Sequence, residues 1–463
     1  MRTPVIDRQS TERTPIEYRE RVLVIEPHGI EPIAARERHG RPRSLFTLWL
    51  SANMGLPVWL VGALAIVLGL GFADGVAAIL VGNLVGCGLL ALTASIGPAI
   101  GVPQLPFTRR SFGARGVYLP AVLNWISTGG WYAVNSVLGA SALARLTALP
   151  FPAALLLLSA GQMLIGVFGY NVIHRFEAVS AAVLAAVFAV MTVIGLPQAH
   201  LGLTSHLPLA DHIGLFALMT TAVASYVFSW TPYAADYARY LPAETPKRRV
   251  VAAVFAGSFL GCVWLEILGA AVATIGLHLA PIALLERVMG GFWAPALVAV
   301  VLGTLAANAL NIYTGSLALL TLDVPLQRWA SVLAVGVLGS LLALYGSNGY
   351  AAKYEQFLLL VSYWIGPWLA IVVVDFFRHP TRARADGVYR RPRSVVWPGL
   401  LSFLAGLAVS VPFMNSVLYE GPLAHLLHGA DIAYYVGIVV AGVLYGAVGA
   451  RTRGVPQVVA VSS

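Results

Sequence analysis

Apolar positions in this chain run in long unbroken stretches, with neither the alternation of a strand nor the single apolar stripe of a surface helix. A stretch of about 20 residues that is apolar on every face reads as a helix crossing a lipid hydrocarbon core. Twelve such spans are read, at 46–72, 75–96, 116–146, 152–170, 177–197, 213–241, 250–276, 292–322, 329–346, 355–377, 396–413 and 432–450. Two are interrupted. The first carries Ser51-Ala52-Asn53-Met54-Gly55-Leu56-Pro57 and the sixth Ser229-Trp230-Thr231-Pro232. Glycine and proline are common in membrane helices, so packing alone would also account for them. Breaks in spans 1 and 6, however, are the corresponding positions of two five-helix halves of inverted topology, each opening on a broken helix. The fold expected is an all-α membrane protein of twelve helices. Repeat one covers about 46–197 and repeat two about 213–377, with spans 11 and 12 (396–450) appended, an N-terminal segment 1–45 and a tail 451–463.

Charge gives the array a direction. Only 11% of residues are charged and mean hydropathy is +0.79. With the N-terminus in the cytoplasm, 26 of the 29 Lys and Arg fall on the cytoplasmic side. Only Arg145, Arg287 and Lys353 fall outside. That is the positive-inside pattern. The net charge of +9 therefore reads as contact with anionic lipid head groups, and no nucleic-acid partner is expected. Cys87 and Cys262 both lie inside spans, which indicates neither a disulfide framework nor a zinc site. The first 45 residues are too polar for a cleaved secretory signal, so the first span is expected to serve as its own anchor. The tail from about Arg451 is expected to be disordered.

Loops this short leave little room for a soluble catalytic domain. No phosphate loop, nucleophile elbow or HExxH motif occurs, the histidines make no metal spacing, and no enzyme activity or cofactor is expected. Candidate chemistry therefore lies within the bundle. In span 3, Trp131 and Asn135 are four apart and share a helix face, and Gly129-Gly130 precede them. A flat heteroaromatic ligand suits such a pair, a ring to stack on and an amide to bond its edge. An interfacial tryptophan and a helix-packing asparagine would give the same pattern. In span 8, Asn308 and Asn311 are three apart, and two mid-span amides need partners, which each other, a broken helix or a polar ligand can supply. Tyr226, Phe228 and Trp230 precede the break in span 6 and offer a second aromatic face. Glu266 is the one acid expected deep in a span, suited either to carrying a proton or to bonding a neighbouring helix. Asp236 and Arg239, three apart, read as a local ion pair.

The run Glu26-Pro27-His28-Gly29-Ile30-Glu31-Pro32-Ile33, with Glu37-Arg38-His39-Gly40, Leu50-Ser51-Ala52-Asn53-Met54, Gly130-Trp131-Tyr132-Ala133-Val134-Asn135, Ala234-Ala235-Asp236-Tyr237 and Asn311-Ile312-Tyr313, resembles the purine–cytosine permease branch of the nucleobase–cation symporter family 1. The resemblance runs from about residue 26 to the end of span 12. It implies the LeuT-like five-plus-five fold and uptake of a nucleobase or related heterocycle driven by a cation gradient. By the same resemblance Trp131 stacks on the substrate and Asn311, or Asn308, bonds it. Asn135 stands where many relatives carry Gln, and the helix 6 aromatic aligns with Tyr226 or Phe228. Sodium-driven members of the fold use helix 1 carbonyls and helix 8 hydroxyls, here Ala52 and Gly55 with Thr304 and Thr314 flanking. No adjacent Ser/Thr pair lies at mid-span 8, and a hard cation needs oxygen ligands. Proton coupling is therefore expected, with Glu266 as candidate carrier. The reading is a monomeric plasma-membrane importer of a cytosine-like base, working by alternating access. The alternatives are the same fold carrying allantoin, a hydantoin or a vitamin-like pyridine, or a membrane receptor that binds such a ligand without moving it.

Overall fold

The computed structural model describes residues 22–276, 279–349, 353, 357, 363–378, 394–416 and 418–448. The tail 451–463 and most of the first half of span 10 lie outside these residues. Helix α1 (Pro42–Ala52) starts on a proline, whose fixed φ and missing N–H suit a first turn. It stops at Asn53, and α2 (Leu56–Val67) restarts on Leu56-Pro57 after a bend of 57°. The first span is therefore broken where the sequence is irregular. Gly69, at φ +94°, ends it and leads into α3 (Phe72–Ala94).

Helices α4 (Tyr118–Thr147), α5 (Phe151–Phe168) and α6 (Tyr170–Gly195) complete the first five spans. Helix α6 begins seven residues before the expected 177. Gly169, at φ +80°, turns the chain there, and the first turns after it bury Tyr170, Ile173, His174 and Glu177 against protein. The sixth span is α7 (Leu209–Phe228), a 3₁₀ turn at Thr231–Tyr233, then α8 (Ala234–Ala238). Its hydrogen bonding is interrupted at the expected place, without the sharp bend of the first span. Helix α9 (Lys247–Ala273), a short α10 (Pro281–Met289), α11 (Trp293–Thr321) and α12 (Arg328–Gly346) follow, then α13 (Ile365–Arg378), α14 (Trp397–Ser410) and α15 (Ala433–Val448). Among the described residues, seven helices are long and apolar enough to cross a membrane, the bent α1–α2 pair would make an eighth, and the segments 397–413 and 433–448 are shorter apolar helices.

The most extensive packing joins α4 to α11, and α5 also packs on α12 and α3 on α9. Each pair lies five spans apart in sequence. Helix α9 also lies along α1 and α2. There a Cβ on Gly62 would sit 1.8 Å from the Glu266 carbonyl oxygen, and one on Gly269 1.9 Å from that of Trp59. Glycine at both crossings brings two backbones into direct contact, as membrane helices without a hydrophobic drive between them require.

From residue 26 onward the N-terminal segment packs on the helices. It lies across one end of the bundle, with Glu26 2% exposed. Several arginines read as lipid-facing are also tied into protein. Arg109 pairs with Asp323 at 2.7 Å and Arg110 with Asp375 at 2.6 Å. Arg328 donates to the carbonyls of Glu26, Gly166 and Val167.

Candidate functional site

The two breaks meet. The Trp230 indole N–H donates to Asn53 Oδ1 at 3.0 Å, and Asn53 Nδ2 donates to the Trp49 carbonyl at 2.7 Å. Irregular backbone at membrane depth is tolerable only where protein supplies such partners. Trp230 continues an aromatic path, 6.5 Å from Tyr226 and 5.1 Å from Tyr233 between ring centroids.

Trp131 faces this path from α4. Its ring lies 5.4 Å from Tyr226 and 5.2 Å from Phe357, both near perpendicular. Gly130 admits Phe357, since a Cβ there would lie 2.2 Å from that ring. Perpendicular contacts set the negative face of one ring against the positive edge of another. A flat base replacing either neighbour would keep an aromatic contact with Trp131. Tyr226 is thus the helix 6 aromatic beside Trp131. Phe228 is placed elsewhere, 6.4 Å from Tyr434 of α15, because two residues along a helix turn it to another face. Phe228 thus packs against Tyr434 and not against Trp131.

Two of the three amides are linked to each other. Asn135 Nδ2 donates to the Trp131 carbonyl at 2.7 Å, which fixes the pair as one unit. Asn308 Nδ2 donates to the Tyr132 carbonyl and to Ser136 Oγ, and its oxygen accepts from Asn311 Nδ2 at 2.9 Å. Asn308 therefore ties α11 to α4 and orients Asn311. The Asn311 oxygen accepts from the Tyr233 hydroxyl at 2.8 Å. A ligand bonding Asn311 would exchange with that hydroxyl, which lies just past the break in span 6.

The expected cation residues are only partly brought together. Gly303 of α11 abuts the first break, a Cβ there lying 2.5 Å from the Met54 carbonyl oxygen. Thr304, one residue on, turns instead to α4 and donates to the Asn135 carbonyl at 3.3 Å. Thr314 donates to Asp236. Both hydroxyls flanking mid-α11 thus face protein acceptors, and Thr304 does not converge with Ala52 and Gly55. Glu266 sits at the α2–α9 crossing, where one carboxylate oxygen accepts from Asn83 of α3.

Asp236 and Arg239 are not paired as read. Asp236 accepts from the Gln104 amide and the Thr314 hydroxyl. Arg239 turns to Glu26 at 3.2 Å and to the Tyr313 hydroxyl at 2.9 Å. Glu26 also accepts from the Tyr240 and Tyr313 hydroxyls and the Tyr170 amide. Burial alone would push the Glu26 pKa up. The Arg328 and Arg239 guanidiniums and these hydrogen bonds outweigh it and hold the carboxyl below its ordinary value. This buried cluster closes one end of the bundle around the N-terminal segment. The sequence marked Glu26 only as part of a short motif, since its partners lie more than 140 residues away. Glu177 was also missed as a buried acid because it fell at the expected edge of span 5; it is fully buried in α6.

A family described as permeases for cytosine/purines, uracil, thiamine and allantoin matches residues 32–437. YxlA of Bacillus subtilis, which carries the name purine–cytosine permease only provisionally, is 31% identical over 440 residues, covering 91% of this chain and 95% of its own. The purine–cytosine permease fcyB of Emericella nidulans is 29% identical, covering 91% and 88%. In fold, the chain is similar to Mhp1, a nucleobase-cation-symport-1 family transporter, in a closed conformation with bromovinylhydantoin bound. The TM-score is 0.75 at 20% identity, covering 91% of this chain and 94% of that one. The architecture is that of all-α LeuT-like membrane transporters.

Proposed function

Because this chain belongs to the family of permeases for cytosine/purines, uracil, thiamine and allantoin, we propose that it imports a cytosine-like nucleobase by proton symport, with alternating access to one central site. The observation that carries this reading is the meeting of Trp131 with Tyr226 beside Asn135, bonded to the Trp131 carbonyl, and the linked amides Asn308 and Asn311, at the level where both broken helices join. Trp131 supplies the stacking face. Asn135 and Asn311 supply edge hydrogen bonds, and Asn308 holds Asn311 in place. Stacking of a base on one aromatic ring contributes about 1–3 kcal/mol, and each amide bond to a buried ligand about 0.5–1.5 kcal/mol.

Proton is favoured over sodium as the coupling ion. The hydroxyls of Thr304 and Thr314 face protein acceptors, and carbonyls of Ala52 and Gly55 alone make a sparse ligand set for a hard cation. The end of the bundle carrying the Glu26 cluster is assigned to the cytoplasm, following the distribution of Lys and Arg.

The test is radiolabelled cytosine uptake by the purified protein in liposomes under an imposed proton or sodium gradient, with adenine, hypoxanthine, uracil, allantoin and a hydantoin as competitors. Accumulation should follow the proton gradient and be blocked by nucleobases. Trp131→Ala should abolish it while the protein still inserts. Uptake by that variant at the wild-type rate would refute the site.

A further inference from the structure

Within the first repeat a row of polar groups lies buried where no transported base is placed. Helix α6 presents His174, Glu177 and Ser180 at intervals of three, so they share one face over about 9 Å. All three are buried, and neither Glu177 carboxylate oxygen, neither His174 ring nitrogen nor the Ser180 hydroxyl has a hydrogen-bond partner among the described residues. Across from them Ser51 of α1, fully buried, has an unpartnered hydroxyl as well, near enough to Glu177 to act on its carboxyl. Unpartnered buried polar groups are rare and costly, and an isolated buried carboxylate must be neutral or meet a counter-charge.

Among the described residues no counter-charge acts on Glu177. Helix α1 offers Ser51, and α5, α9, α10 and α11 bring no charged side chain near enough to act on Glu177. Along its own face the titratable neighbour is His174, which in turn senses Tyr237, His39 and Glu26 toward the end of the bundle. The other acids in the spans are held differently. Glu266 is bonded by Asn83 through one oxygen, leaving only the other without a partner, and Asp236 is bonded by Gln104 and Thr314.

We propose that Glu177 is the proton-carrying carboxyl of the transport cycle and that α1 is its gate, an inference that rests on the proton-symport reading above. The carboxylate takes one proton from water while the site faces outward. It is then enclosed as the neutral acid against Ser51. The chain break at Asn53–Gly55 lets α1 move without α2. When α1 swings from α6, water enters along His174, the O–H bond of the Glu177 acid breaks, and the proton leaves to that water. One proton is bound and one released per cycle, and no net charge is enclosed.

The full-length protein in liposomes tests this with radiolabelled cytosine or adenine, in gradient-driven accumulation and in counterflow at equal pH. Glu177→Gln should lose accumulation above the outside level yet retain counterflow. Wild-type accumulation by Glu177→Gln would overturn the assignment. If both modes were lost, Glu177→Asp decides. Recovered accumulation with a shifted pH dependence supports a carboxyl requirement, and equal loss of both modes marks a structural role and overturns it. A wild type that shows counterflow but ignores the proton gradient removes the symport reading itself.

Discussion

Glu26 shows how much one side chain can hold when its partners converge from four parts of the chain. A carboxylate with two guanidinium neighbours and three hydrogen-bond donors is stable only as the anion. Its native pKa lies below the ordinary 4.5, so its contribution is complete above that value and fades as pH falls through the lowered native one. Removing one partner of a buried ion pair costs about 3–5 kcal/mol. Glu26→Gln should therefore lower the melting temperature near neutral pH. It should also flatten the decline expected of the wild type below pH 4.5, followed by thermal unfolding in detergent from pH 7 downward. An unchanged acid profile would show that Glu26 is not the group that titrates. At this scale the chain disclosed chemistry but not partners. Trp131, Asn135 and Asn311, the residues proposed for the site, stand out in the sequence because ring and amide at helical spacing inside an apolar span are costly without a purpose. That Tyr226 and not Phe228 meets Trp131 depended on how α7 is rotated against α4.

At the scale of elements, the crossing of α2 and α9 depends on two hydrogen atoms. Gly62 and Gly269 each face the other helix's backbone at a distance no Cβ fits. A methyl at either forces the helices apart, and overpacking of this kind costs about 1–3 kcal/mol. Gly62→Ala should lower thermal stability by that amount. Gly88→Ala on α3, where no atom lies within 4 Å of the added Cβ, should leave it level or raise it, because alanine is the better helix former. Equal melting curves for both variants would show that the crossing tolerates separation. The breaks in spans 1 and 6 were readable because Pro and Gly impose local backbone limits wherever they stand. The early start of α6 was not, because the polarity of Tyr170–Arg175 reads as a loop until the protein around it is known.

For the whole molecule, orientation follows from charge and is open to direct measurement. A cysteine at Ala243, after span 6, should react with an impermeant maleimide only from the cytoplasm, and one at Thr204, after span 5, only from outside. Both positions are exposed, and the native Cys87 and Cys262 are buried. The reverse labelling would invert the topology. Sequence alone determined the all-α membrane fold, its two interruptions and the family, and it carries the charge pattern from which orientation is proposed, because hydrophobic length, backbone restriction and charge act locally along the chain. Tertiary structure alone decided which groups meet. It turned Arg239 from Asp236 to Glu26, directed Thr304 to the Asn135 carbonyl, joined Asn53 to Trp230, and left Glu177 enclosed with no counter-charge among the described residues. These outcomes depend on helix rotation and contacts across more than 100 residues, which local composition does not encode.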